Sequence, residues 1–215
     1  MRDWNAYAAP FHSVMPSELV TVNRSVAEQL FGSVVDFGCG PGKVIPFALT
    51  TNRVNGYLGV DMSPEMVKCA RWVASHYPGK PCKIVQAKIE HYSLSSKADS
   101  ALSINSYYTW PDPMRILRHI ASQLKVDGSF VLATINASLD MNALLEEAEK
   151  EQLANPYWQD FKRYNQAIFR CNTFNLATLD ELVGQVRQVG FVVRDAHTKF
   201  YAGGLNYLTL TKGHL

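Results

Sequence analysis

The sequence predicts an α/β fold: a doubly wound, mostly parallel seven-stranded sheet with a C-terminal antiparallel hairpin and a helical lid. Three observations predict it. Short β-branched runs alternate with longer stretches of helical period, as in βαβ units. No internal repeat or low-complexity tract interrupts that rhythm. The carboxyl end then breaks it, with two strand-like runs meeting across Ala202-Gly203-Gly204.

Taken in order, Trp4, Tyr7, Ala8 and Phe11 form one helical face whose length Pro10 and Pro16 limit, so residues 1–30 are expected to make N-terminal cap helices. The first strand is Ser33 to Phe37, followed by a glycine turn and a short helix from Val44 to Leu49. The second strand runs from Gly56 to Val60 and ends at Asp61. Ser63-Pro64-Glu65 then supplies an N-cap, a proline at the first helical position and an acid in the first turn, with Met66, Val67, Ala70, Val73 and Ala74 on one face. Further strands fall at Cys82 to Gln86, Ser100 to Ile104 and Ser129 to Ile135, the last after the turn Lys125-Val126-Asp127-Gly128. Met114, Ile116, Leu117, Ile120 and Leu124 mark the helix between the last two. Parallel neighbours need such long connections, and the crossovers are expected to be right-handed. Residues 136–176 are too long for a plain connection and are expected to form a lid, ahead of a helix from Leu179 to Gln188. Phe191 to Phe200 and Leu205 to Lys212 make the closing hairpin.

At 215 residues the chain fits a single domain. No apolar run approaches the roughly 18 residues that a membrane helix needs. Met1-Arg2-Asp3-Trp4-Asn5 leads into no apolar segment, so no secretory signal is expected and the cytoplasm is the default compartment. Cys39, Cys69, Cys82 and Cys171 form no CxxC pair and have no histidines at metal spacing, which points to free thiols and no metal. A net charge of +2, spread along the chain, gives no concentrated field for nucleic acid, so a small-molecule substrate is favoured. No pattern sets an oligomeric state.

Asp36-Phe37-Gly38-Cys39-Gly40-Pro41-Gly42 stands where the first strand should meet its helix. Glycines there let a ligand lie against bare main chain and make a tight turn with positive φ inexpensive. The plainer alternative is a tight strand-to-helix connection and nothing more. Asp61, 19 residues beyond Gly42, sits at the next strand end, where a carboxylate can accept both hydroxyls of a ribose. Its alternative role is support for the helix that starts at Ser63.

Asp36-x-Gly38-x-Gly40-x-Gly42, Gly59-Val60-Asp61-Met62-Ser63 and Leu124-Lys125-Val126-Asp127-Gly128 together resemble, in order and spacing, the class I S-adenosylmethionine-dependent methyltransferases. The resemblance covers Val34 to Ile135 and the terminal hairpin, since that family's Rossmann-like sheet also ends in an antiparallel seventh strand. It implies S-adenosylmethionine as cofactor and a transferase acting on a small molecule. Asp36, Gly38, Cys39 and Gly40 would meet the methionine part, Asp61 the ribose and Met62 the adenine. Asn105, after the fourth strand, would lie on the cofactor side of the meeting point with the acceptor. An aromatic of the leading segment often approaches the methionine carboxylate in relatives, which selects Tyr7. One position departs: where the family places an aspartate against the adenine amino group, this chain has Lys88, which only donates. Adenine recognition then falls to Ile89, to backbone groups or to Glu90. That departure motivates the alternative of a cofactor-binding module without transfer activity. A nicotinamide dehydrogenase is disfavoured, because its glycine turn wants a small residue where this chain has Lys43.

Methyl transfer from a sulfonium needs alignment and exclusion of water more than a catalytic set. Tyr107 and Tyr108 follow the fourth strand, where the family brings donor and acceptor together; Tyr108 could bound the methyl and Tyr107 orient the acceptor. The alternative is that both only pack beneath the next helix. His12 is the nearest histidine that could act as a base, or it is a surface histidine like His76, His91, His119, His197 and His214. In the lid, an acidic helix over Leu139 to Ala154 reads as a solvated face, while Phe161, Arg163 and Tyr164 are candidate substrate contacts.

Overall fold

The computed structural model describes residues 3–169 and 174–214. Two helices lead, α1 (Trp4–Ser13) and α2 (Ser17–Ala27), followed by β1 (Gly32–Phe37), α3 (Ile45–Thr50), β2 (Val54–Asp61), α4 (Pro64–Ser75), β3 (Cys82–Gln86) and β4 (Ala98–Ile104). Then come α5 (Pro113–Gln123), β5 (Leu124–Ile135), the lid helices α6 (Met141–Gln152) and α7 (Trp158–Phe169), α8 (Leu179–Gln188), β6 (Phe191–Thr198) and β7 (Leu205–Lys212). One seven-stranded sheet has the order β3-β2-β1-β4-β5-β7-β6, and β7 runs antiparallel to both its neighbours.

Alternation along each strand splits the core in two. On β1, Val34 faces one cluster with Val26, Ile45 and Val67, while Val35 and Phe37 face the other with Leu117, Ile120 and Leu182. Helices therefore cover both faces. The strand order reverses between β1 and β4, since the chain first winds outward through β2 and β3 and then crosses back. Such a switch point opens a crevice at the carboxyl ends of the two strands. Here those ends are Phe37 and Ile104.

The start of α4 forms as its residues dictate: Ser63 Oγ accepts from Met66 N at 3.2 Å, with Pro64 in the first turn. Pro10, expected to limit α1, lies inside it; the chain leaves the helix only at Val14. A proline φ suits a helix, but Pro10 removes one amide donor and crowds the carbonyl of Ala6, which the packing of α1 offsets. β5 begins at Leu124, so the expected turn at 125–128 is part of an irregular strand start in which Asp127 takes a φ of 61°. β6 stops at Thr198 because residues 200–202 turn to positive φ.

Helices α6 and α7 and the turn between them pack on the N-terminal helices. Glu151 accepts from Ser17 N at 2.8 Å and Ser17 Oγ at 2.5 Å, and Asn155 Nδ2 donates to Ser13 O at 3.0 Å. Glu149 accepts from Trp158 Nε1 at 2.9 Å and pairs with Lys162 at 3.0 Å. Two members of the acidic run expected as a solvated face are thus working partners. The aromatic stripe of α1 meets α7: Tyr7 lies 6.1 Å from Phe161 and 5.0 Å from Tyr164 between ring centroids. Among the described residues no helix is long and apolar enough to cross a membrane. Cys39, Cys69 and Cys82 are free thiols, and Cys171 lies outside the described residues.

Candidate functional site

A cleft of about 780 Å³ opens at the switch point, walled by the glycine turn, the end of β2, the residues after β3 and β4, α1 and α6. The glycine turn folds back on β2: Gly38 N and Cys39 N both donate to Val60 O, at 2.8 and 3.1 Å. Gly38 has a φ of 81°, and a Cβ there would sit 2.2 Å from Ser106 Oγ. At Gly42, with a φ of 83°, it would sit 2.7 Å from Ile45 Cδ1. The turn therefore closes only with bare main chain, leaving its outer surface to the cleft.

Asp61 braces that bend. Its Oδ2 accepts from Gly40 N at 2.8 Å and its Oδ1 from Ser63 N at 2.9 Å, so the two strand ends are tied through one carboxylate. The backbone N–H of Met62 also bears on the carboxylate, and the lone-pair sites left over are available to a ligand. Burial pushes this carboxyl's pKa up against those backbone donors. The expected support of the α4 start is thus realised by the Ser63 bond, and the ribose role remains open to the same group.

Asp36 lies beneath the turn, buried, and accepts from Tyr57 Oη at 2.5 Å. Burial raises its pKa to about 7; the Tyr57 bond opposes the rise and Asp61 adds to it. The folded chain therefore keeps a proton that the unfolded carboxyl releases near pH 4, and stability falls as pH rises from about 4 to about 7. Asp36→Asn is neutral and can still accept from Tyr57. The unfolding midpoint of D36N in urea, relative to wild type, should rise between pH about 4.5 and about 7.5; a constant difference contradicts the buried titration.

Lys43, half-buried and lining the cleft, anchors the junction of α1 and α2. Its Nζ donates to Val14 O at 2.8 Å and lies 5.0 Å from the Phe11 ring centre. Desolvation lowers its pKa to about 7.

Met62, 56% exposed, forms the rim beside Ala87, Lys88, Ile89 and Glu90, all of which line the cleft. Ile89 is buried and Lys88 exposed. Beyond the turn, Asn105 takes a φ of 50°, and its Oδ1 is buried without a hydrogen-bond partner. Tyr108 and Tyr7 line the same space, with Tyr7 Oη accepting from Asn165 Nδ2 at 2.7 Å.

The structure brings together Tyr7, Asp36, Gly38, Cys39, Gly40, Asp61, Met62, Ile89, Glu90, Asn105, Tyr108 and Phe161 around one cleft. Four other expected residues stand differently. Tyr107 turns to the opposite sheet face, its hydroxyl donating to Gln185 at 2.7 Å. His12 sets its ring edge-on to Trp72 at 5.3 Å, with its pKa lowered by burial and by Lys43. Arg163 is exposed and pairs with Asp160 at 2.9 Å, and Tyr164 packs on Tyr7 from behind. Tyr201 and Lys43 were not among the expected site residues. Nothing local marks Tyr201, although the adjacent Gly203-Gly204 signals a tight turn.

The methyltransferase-domain family matches residues 17–196, from α2 through most of β6. The chain belongs to the methyltransferase family. Among relatives of this methyltransferase, an uncharacterised methyltransferase of Bacillus subtilis is 29% identical over 54% of this chain and 65% of its own. Trans-aconitate 2-methyltransferase of an Enterobacter species is 28% identical over 71% of this chain and 59% of its own. The chain thus spans under two thirds of the length of these curated relatives. Magnesium protoporphyrin IX methyltransferase from Synechocystis, solved with bound S-adenosylhomocysteine, shares the fold at a TM-score of 0.64 and 16% identity, covering 91% of this chain and 84% of that one.

Proposed function

We propose that this methyltransferase binds S-adenosylmethionine along the glycine turn and passes its methyl group to a small molecule by in-line displacement. The observation that carries the reading is convergence: a bare main-chain bend, a carboxylate with free lone pairs and an orphaned amide oxygen face one cleft. These suit the parts of the cofactor. Asp61 accepts the ribose hydroxyls, Met62 and Ile89 cover the adenine, and Glu90 or backbone groups take its amino group in place of the missing aspartate at Lys88. Gly38, Cys39 and Gly40 pass beneath the methionine part, while Asn105 Oδ1 accepts from its ammonium and Tyr7 borders its carboxylate. Asp36 supports the turn from below. Buried orphaned oxygens cost about 1–3 kcal/mol, which a ligand N–H recovers.

Bound S-adenosylmethionine would supply an activated methyl group to an acceptor whose proton, where it has one, is lost to solvent. Within the chain, Tyr108 bounds the space where the transfer takes place, and the lid and α1 exclude water. Phe161 lies on the acceptor side.

Titration with S-adenosylhomocysteine and incubation of tritiated-methyl S-adenosylmethionine with a metabolite extract test this. Micromolar-range binding, on the order of −8 kcal/mol, together with a labelled small molecule is expected. Binding with no label in any extract favours a cofactor-binding module instead, and tighter binding of a dinucleotide rejects the cofactor.

A further inference from the structure

The connection between β6 and β7 contains three consecutive non-glycine residues at positive φ: Phe200 at 57°, Tyr201 at 47° and Ala202 at 52°. Side chains resist that region, and such runs persist only where the surroundings over-determine them, commonly at binding sites. Here they are pinned from three sides. Tyr201 N donates to Glu18 Oε2 on α2 at 2.6 Å, and Asn136 Nδ2 donates to Gly203 O at 3.1 Å. Gly204 lies so close to Leu139 that a Cβ would fall 2.4 Å from Leu139 Cδ1.

The contortion sets the buried Tyr201 ring into the cleft wall. There Asn105 Nδ2, itself on a positive-φ residue, donates to Tyr201 Oη at 3.5 Å. That bond occupies a lone pair of the phenol and leaves its hydrogen to the cleft. Burial raises the phenol's pKa, so the group stays protonated and donates. Beside it, Ile135, Leu139, Met141, Leu144, Leu145 and Ala148 line the cleft as an aliphatic wall built from the end of β5, the loop after it and α6.

We propose that Tyr201 is a substrate-binding residue whose hydroxyl donates a hydrogen bond to an oxygen of the methyl acceptor, and that the acceptor is an uncharged molecule whose apolar body lies along α6. This rests on the transfer function proposed above. The gripped oxygen is not the attacked atom, since a donated hydrogen bond withdraws electron density from it and lowers its nucleophilicity. A charged body on that wall would lose its hydration without a partner.

The test uses the full chain, tritiated-methyl S-adenosylmethionine and a metabolite extract, with the product partitioned between ethyl acetate and water. Wild type should label a product that enters the organic phase. Tyr201→Phe keeps the ring and removes only the hydroxyl. It should lower labelling at subsaturating acceptor about tenfold, as the loss of one hydrogen bond does. With the organic fraction as acceptor, KM rises while kcat holds. Y201F also leaves Asn105 Nδ2 without its acceptor, so a small drop in the unfolding midpoint and in S-adenosylhomocysteine affinity is expected, and the rise in KM at constant kcat is what separates contact from structural damage. Equal labelling by Y201F, or a product that stays in water as an ion, overturns this inference alone. Wild type that binds S-adenosylhomocysteine but labels nothing overturns the transfer function, and this inference with it.

Discussion

Gly38→Ala is expected to destabilise the fold by about 3 kcal/mol, combining roughly 1–2 for a left-handed alanine with roughly 1–3 for overpacking. The new methyl would lie 2.2 Å from Ser106 Oγ and 2.6 Å from Ser106 Cβ. Ser106 has little room to yield, because its Oγ accepts from the buried Trp110 Nε1 at 3.0 Å. Moving it breaks that bond, and moving Gly38 instead pulls the turn from Val60. Urea unfolding measures the effect. A loss under about 0.5 kcal/mol, typical of surface changes, contradicts the close approach of strand ends on which the cleft depends. G38A that survives should also bind S-adenosylhomocysteine more weakly, since the turn is the proposed floor of the cofactor site.

Asp61→Ala carries the second large effect, and it is directed at the cofactor. If Asp61 accepts two ribose hydroxyls as proposed, removing its carboxylate should weaken S-adenosylhomocysteine binding by about 1.5–3 kcal/mol, roughly ten- to 150-fold. The same change leaves Gly40 N and Ser63 N without the acceptors seen at 2.8 and 2.9 Å. Part of the loss would then be a loosened turn. Asp61→Asn separates the two contributions: its one oxygen keeps one backbone bond and most of the shape but accepts fewer ligand hydrogens. Calorimetric titration should rank wild type above D61N and D61N above D61A. Equal affinities across the three place the nucleoside away from Asp61.

Much of this was legible in the chain itself. The glycine turn, Asp61 and the capped start of α4 lie within one βαβ unit, where spacing alone fixes which groups meet at a strand end. β3 falls at Cys82–Gln86 as its residues predict. Legibility ends where contacts join distant segments. Tyr201 reaches the cleft through bonds to Glu18 and Asn105, residues 183 and 96 positions away, so no local pattern announces it. The lid's acidic helix shows the same limit. Glu151 meets Ser17 across 134 positions, and only the packed chain distinguishes that glutamate from its exposed neighbour Glu147. Tyr107 and Tyr108 are adjacent in sequence, yet a single 3-10 turn sends one to each core cluster. Aromatic content forecast the packing of both but not their opposite directions.

The most direct test of the central claim is a crystal structure of the chain with S-adenosylhomocysteine. Ribose hydroxyls should lie on the Asp61 carboxylate, the homocysteine chain along the main chain of Gly38 to Gly40, and its amino group on Asn105 Oδ1. A nucleoside bound elsewhere in the cleft, with Asp61 still holding only backbone N–H groups, would contradict it.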